Sequence, residues 1–227
     1  MPVPSRYVGE SNAYDIANDK VYMGDLVWSW DVGDPLADWT LGGTTSPTLA
    51  PDGQLDLFDN INAANQTSEC YVAIPNTIGG MWAILHCKFT MQTDDTSTDG
   101  VRFIGQISSS TTAQRGLVFQ VNPVASNIRW YANTGAGPNA NMTFVPVAGQ
   151  EYVLDLVVSS SEVIIMVNNE RFGSFPTGMG NLPLTPLVSW NSSNKIIYFY
   201  ARHDAGEVSH FRCRDVRVSR LVGVSSL

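Results

Sequence analysis

The chain has 227 residues, of which 44% are hydrophobic and 15% charged, with a formal net charge of −8. No Pro/Gly/Ser-rich linker divides it, so one large domain is expected rather than two small ones. The acidic balance excludes a nucleic-acid partner, which needs a basic stripe, and it disfavours an anionic membrane surface. No segment approaches the roughly 20 apolar residues of a membrane-crossing helix.

Residues 1–19 are polar and lack clean periodicity. They read as an extended N-terminal arm, either frayed or docked on another subunit. They contain no apolar stretch of signal-peptide type, so synthesis and folding in the cytosol are expected. The sequons at Asn65, Asn141 and Asn191 then have no glycosylation role.

A single sandwich domain is expected over residues 20–227. Strand signals begin with residues 21–30, followed by a turn at Gly33-Asp34-Pro35. Short strands follow near 39–41, 54–58 and 70–74. Gly42-Gly43 and Gly79-Gly80 read as turn glycines, not phosphate cradles. A long strand over 81–91 carries Met81, Ala83, Leu85, Cys87, Phe89 and Met91 on one face. Its other face, with Trp82, His86, Lys88 and Thr90, is expected to meet solvent. Cys87 therefore reads as a core thiol.

Residues 101–108 and 115–122 form the next expected pair. Strands at 127–132 and 141–147 bracket a Gly/Pro/Asn loop. Residues 151–175 give the clearest signal: strand, Ser turn, strand, Asn-Asn turn, strand. Tyr152, Leu154, Leu156 and Val158 alternate, as do Val163, Ile165 and Val167. Asn168-Asn169 supplies the reversal because Asn tolerates the positive φ of a tight hairpin. Strands at 184–190, 195–203 and 207–222 complete a set of about fourteen. In the last one the apolar parity switches between Phe211/Cys213 and Val216/Val218, which predicts a bulge near Arg214-Asp215. The fold class is therefore all-β, an antiparallel sandwich or barrel.

The run EVIIMVNNERFGSF resembles the strand–turn–strand element of concanavalin A-like (laminin-G-like) jelly rolls. The closing FRCRDVRVSRL is similar to that group's terminal strand. Asn169 stands where the group often has Gly, and the paired cysteines of secreted members are absent. The resemblance implies a jelly roll of two curved sheets. Functions in that group range from glycan binding to glycan cleavage to assembly.

The catalytic motifs expected on such a fold are missing. Glycoside hydrolysis needs two carboxyl groups about 5–10 Å apart. Glu151 and Asp155 share a strand face, but four residues separate them by about 13 Å. Tyr200 and His203, with Arg202 nearby, are a weak version of a lyase set and lie on opposite strand faces. His86 and His210 read as structural. No catalytic residue is assigned and the protein is expected not to be an enzyme.

Binding candidates are aromatic. Tyr198, Tyr200 and Arg202 share one strand face, and Arg129 and Tyr131 share another. Flat rings beside Asn and Arg suit a sugar, a protein hot spot or plain sheet surface. Asp94, Asp95 and Asp99 offer hard oxygen donors of the kind calcium takes, without EF-hand spacing; a solvated acidic loop is the other reading. No other cofactor is implied. Residues 1–100 hold fourteen acids and three bases, and residues 101–227 hold seven and ten. Either the two halves mix in space, or an acidic patch meets a neighbour's basic one.

A lectin-like sandwich without an export signal needs a route to an external glycan. A phage particle released by lysis supplies one. The main expectation is therefore a bacteriophage virion surface protein, a capsid decoration, fibre or tail component. It would assemble with other virion proteins or with itself, and bind a host or mucosal glycan. A free carbohydrate-binding module is the alternative.

Overall fold

The computed structural model describes residues 11–15, 18–59, 66–74, 83–92, 101–108, 116–122, 127–131, 140–143, 147–158, 162–176, 195–203 and 209–226. These residues form two antiparallel sheets. The first contains β1 (Ser11–Asp15), β2 (Lys20–Trp30), β4 (Thr48–Leu49), β5 (Leu55–Asp59), β7 (Ala83–Met91), β12 (Glu151–Val158), β13 (Glu162–Val167), β14 (Glu170–Pro176) and β16 (Ser209–Ser226). The second contains β3 (Thr40–Gly43), β6 (Gln66–Ile74), β8 (Val101–Ser108), β9 (Gly116–Asn122), β10 (Asn127–Tyr131), β11 (Ala140–Thr143) and β15 (Lys195–His203). The fold is an all-β jelly-roll sandwich.

The nine-stranded sheet runs β1-β2-β16-β7-β12-β13-β14, with β5 also on β16 and β4 on β5. The seven-stranded sheet runs β11-β10-β9-β8-β15-β6-β3. Between them lies the main core, built from the inward parity of each strand: Leu85, Cys87, Phe89, Leu154, Leu156, Ile165, Phe199 and Phe211 among others. Fully burying one such side chain stabilises by roughly 1.5–3 kcal/mol. Trp39 joins the two layers, with its ring edge-on to Trp28 at 5.4 Å and Trp30 at 5.9 Å, and tilted on Phe199 at 5.6 Å. Cys70, Cys87 and Cys213 are buried free thiols, and burial pushes each thiol upward in pKa.

Both local predictions of backbone geometry hold. Asn168 and Asn169 have φ of 52° and 63°, the two left-handed residues of a type I′ turn. Phe211, Cys213, Val216 and Val218 all reach the main core, because the β16–β7 register shifts between Arg214 and Arg217. Asp215 occupies the shift at φ 51°.

Three expectations need correction. The outer face of β7 is largely shielded from solvent: Ile84 and Thr90 are buried and the His86 side chain is 14% exposed, while Lys88 keeps partial exposure. Residues 11–15 of the expected arm form β1, antiparallel to β2. Gly42 is not a turn residue but lies within β3. The expected strand at 184–190, Gly79-Gly80 and Asp94, Asp95 and Asp99 lie outside the described residues.

The first two corrections share a cause. The nine-stranded sheet curls until its end strands meet, where Asp15 of β1 pairs with Arg171 of β14 at 3.3 Å. Inside the curl is a second core: Ala13, Tyr22, Ile84, Val157, Ile164 and Met166, with Leu221 packed against it. Gly24 admits the close approach. A Cβ there would lie 2.9 Å from both Ser219 Cβ and the Arg220 carbonyl oxygen. The charge halves mix in space: the curl brings Asp15 to Arg171, and pairing of β16 with β2 and β5 brings Asp25 to Arg220 and Asp52 and Asp56 to Arg212.

Candidate functional site

Phe199 and Ala201 are fully buried in the main core. Strand alternation therefore puts positions 198, 200 and 202 on the outer face of the seven-stranded sheet. Backbone register extends that face in one row across all seven strands. Gly42 pairs with Glu69, Glu69 with Tyr200, and Tyr200 with Phe103. Phe103 pairs with Gln120, Gln120 with Arg129, and Arg129 with Asn141. In the next row Thr40 pairs with Tyr71 and Tyr71 with Tyr198, while Val118 pairs with Tyr131.

The two predicted clusters thus belong to one sheet face. β15 and β10 have β8 and β9 between them, so about 14 Å of sheet separates the clusters. Tyr200, Glu69 and Tyr71 are partly exposed. The side chains of Tyr198, Arg202, Phe103, Gln120, Arg129, Tyr131 and Asn141 lie outside the described set, and only their backbone positions are used. Glu69, Tyr71, Phe103, Gln120 and Asn141 escaped the sequence reading. No local signal marks them, because pairing between distant segments brings them together.

At the β3 edge the geometry is resolved further. A Cβ on Gly42 would lie 3.1 Å from Glu69 Oε1 and 3.3 Å from its Cγ. The Glu69 side chain therefore runs over Gly42, toward β3.

A second constellation lies on the outer face of the other sheet. His86 Nδ1 donates to Asp155 Oδ1 at 2.7 Å, and its Nε2 is 3.6 Å from Asp215. Asp215 also meets Lys88 at 3.0 Å and Arg217 at 2.5 Å. Burial alone would lower the His86 pKa. Hydrogen bonds and charge from Asp155 and Asp215 outweigh it and raise the pKa to about 9. Burial likewise opposes ionisation of Asp215, but His86, Lys88 and Arg217 hold it well below the usual carboxylate range. A histidine held as imidazolium is a poor general base at neutral pH. The cluster is a charge lock at the bulge of β16.

Glu151 and Asp155 do not act as a pair. Glu151 accepts two bonds from Arg214, at 2.6 and 2.7 Å, and Asp155 faces His86. His210 is 2.6 Å from Asp56. His86 and His210 both belong to the nine-stranded sheet, and the side chain of His203 lies outside the described set. Among the described residues, no group of three or more His, Cys, Asp or Glu could hold a metal ion.

No protein-family model and no curated protein matches the sequence. Solved structures do match in shape. The metal-free carbohydrate recognition domain of Emp46p aligns with a TM-score of 0.62 at 14% identity, over 88% of this chain and 99% of that one. An O-glycanase structure from a study of the human gut microbiota aligns at 0.62 and 12% identity, over 87% and 100%. A family 7 alginate lyase in complex with product aligns at 0.56 and 12% identity, over 81% and 95%. At these identities the likeness is one of fold: the chain has the jelly-roll sandwich found in carbohydrate recognition domains and in polysaccharide-cleaving enzymes.

Proposed function

We propose that the chain is a lectin-like carbohydrate-binding module whose platform is the outer face of the seven-stranded sheet. The observation that carries this reading is the row Gly42–Glu69–Tyr200–Phe103–Gln120–Arg129–Asn141, aligned strand by strand. Two adjacent aromatic positions, Tyr200 and Phe103, are flanked there by a carboxylate position on one side and by amide and guanidinium positions on the other. That composition suits the apolar C–H faces and the hydroxyls of a sugar ring. The carbohydrate recognition domains among the neighbours support it.

Binding rather than cleavage is proposed because the two described histidines are on the other sheet and engaged with aspartates. The neighbours named above include no virion protein and give the virion expectation no support.

A glycan array with the purified chain tests the proposal. Binding to at least one oligosaccharide is expected, unchanged by EDTA. Tyr200→Ala should weaken it by about tenfold, the worth of one ring contact. No binding, or equal binding by Tyr200→Ala, would sink the reading. New reducing or unsaturated ends after incubation would replace it with an enzyme.

A further inference from the structure

We infer that Gly105, on the middle strand of the seven-stranded sheet, floors a subsite of the platform that takes the acetamido group of an N-acetylated sugar. The inference rests on the platform reading above and says where on that face a sugar is read.

β8 has three strands of its sheet on either side. Of its eight residues, seven have a partner in at least one of the two flanking ladders, and Gly105 has none in either. On the β15 side Phe199 pairs with Ile104 and Ile197 with Ile107, so Tyr198 stands opposite both Gly105 and Gln106. On the β9 side Gln120 pairs with Phe103 and Val118 with Gln106, so Phe119 stands opposite Ile104 and Gly105. One extra residue makes both register shifts.

The strand does not need that residue for its alternation. Phe103 pairs with Tyr200 on the outer face, and Ile104 pairs with the buried Phe199 on the inner face. Gln106 pairs with Val118 on the outer face, and Ile107 with Ile197 on the inner face. Without Gly105 the order out, in, out, in would run unbroken. Bulges favour sheet edges and the neighbourhood of sites. This one is at neither edge and disturbs two ladders at once. A glycine inside a strand marks a place where a ligand or another backbone comes close.

At Gly105 the outer face lacks a side chain beside the position of Tyr198, and the peptide groups fall outside both ladders. A backbone N–H and C=O outside a ladder take an acceptor and a donor from elsewhere. An acetamido group is planar and carries one N–H and one C=O, the complement of a peptide. It also needs a gap in the side-chain layer, which a hydroxyl does not. Gly105 is two residues, about 7 Å, from Phe103, the partner of Tyr200. A sugar ring over Tyr200 therefore brings its substituent to the glycine.

The test uses the full chain with two matched pairs: N-acetylchitotetraose against cellotetraose, and methyl N-acetylgalactosaminide against methyl galactoside. The parent should bind the acetylated member of at least one pair about tenfold more tightly, the worth of a hydrogen-bonding group that its analogue lacks. Deleting Gly105 closes the bulge and should leave Tm unchanged or raised, because every other residue of β8 keeps its face. Gly105→Ala keeps the bulge and puts a methyl on its floor. Both variants should bind the two members of that pair equally. No acetyl preference in the parent, or a preference that survives in either variant, overturns the inference. A fall in Tm on deletion does so too, since the bulge would then be a need of the fold. In each of those outcomes a loss of glycan binding by Tyr200→Ala leaves the platform standing. If the parent binds no oligosaccharide on the array, the platform reading falls and takes this inference with it.

Discussion

His86 shows how far one residue's chemistry depends on its surroundings. Its folded pKa, about 9, lies above the ordinary histidine value of 6.5. The imidazolium therefore stabilises the fold fully below about pH 6.5, and that contribution is lost as pH rises through about 9. With the side chain 14% exposed, the contribution is on the order of 3 kcal/mol. Asp215 has the opposite sign. Its contribution is complete above about pH 4 and fades only in strong acid. Urea unfolding between pH 6 and 10 should show the midpoint falling on the alkaline side, with Asp155→Asn flattening the fall. A midpoint independent of pH in the parent chain would contradict the charge lock.

At the scale of elements, the β13–β14 hairpin carries its own instructions. Asn168 and Asn169 take left-handed φ, which costs a residue with a Cβ about 1–2 kcal/mol unless it is Asn, Asp or Gly. The Val153 amide donates to Asn168 Oδ1 at 2.9 Å, tying the turn to β12. Asn168→Ala should destabilise by about 1–2 kcal/mol, and Asn169→Gly should be neutral or stabilising by up to about 1 kcal/mol. Thermal melts check both, and equal Tm values for the two variants would refute the assignment. The bulge in β16 was equally legible, since Phe211, Cys213, Val216 and Val218 must all face one core and only a register shift allows it. The outer face of β7 was not legible. His86, Lys88 and Thr90 have the polarity of a solvated face, but Asp155 of β12 and Asp215 of β16 meet His86 and Lys88, and at Ile84 the polar strand β1 joins the same face from more than sixty residues earlier in the chain. Polar residues can be buried where ion pairs satisfy them, and no local pattern announces the partner.

The whole molecule adds the closure. β1 and β14 are the two ends of the main path of the nine-stranded sheet, and the Asp15–Arg171 pair joins them over the second core. Asp15 is fully buried, so Arg171→Met leaves it without that guanidinium. A loss of about 3 kcal/mol is expected, as for other broken buried pairs, or roughly 6–12 °C in Tm for a domain of this size. Amide exchange should rise first in β1 and the adjoining half of β2, while β7 stays protected. Uniform loss of protection across both sheets would show that the pair does not act as a local closure.

The sequence alone determined the antiparallel all-β class, most strand positions, the Asn-Asn turn, the β16 bulge and the aromatic stretch on β15. Each is written in short-range alternation or in the φ preference of one or two residues. Only the tertiary structure decided that the strand carrying Tyr200 lies inside a sheet, between β8 and β6, that Glu69 and Arg129 share its row, and that one sheet curls around a second core. Those facts depend on which distant strands pair and in what register. Pairing is set by the burial of whole faces at once, which no local window of the chain contains.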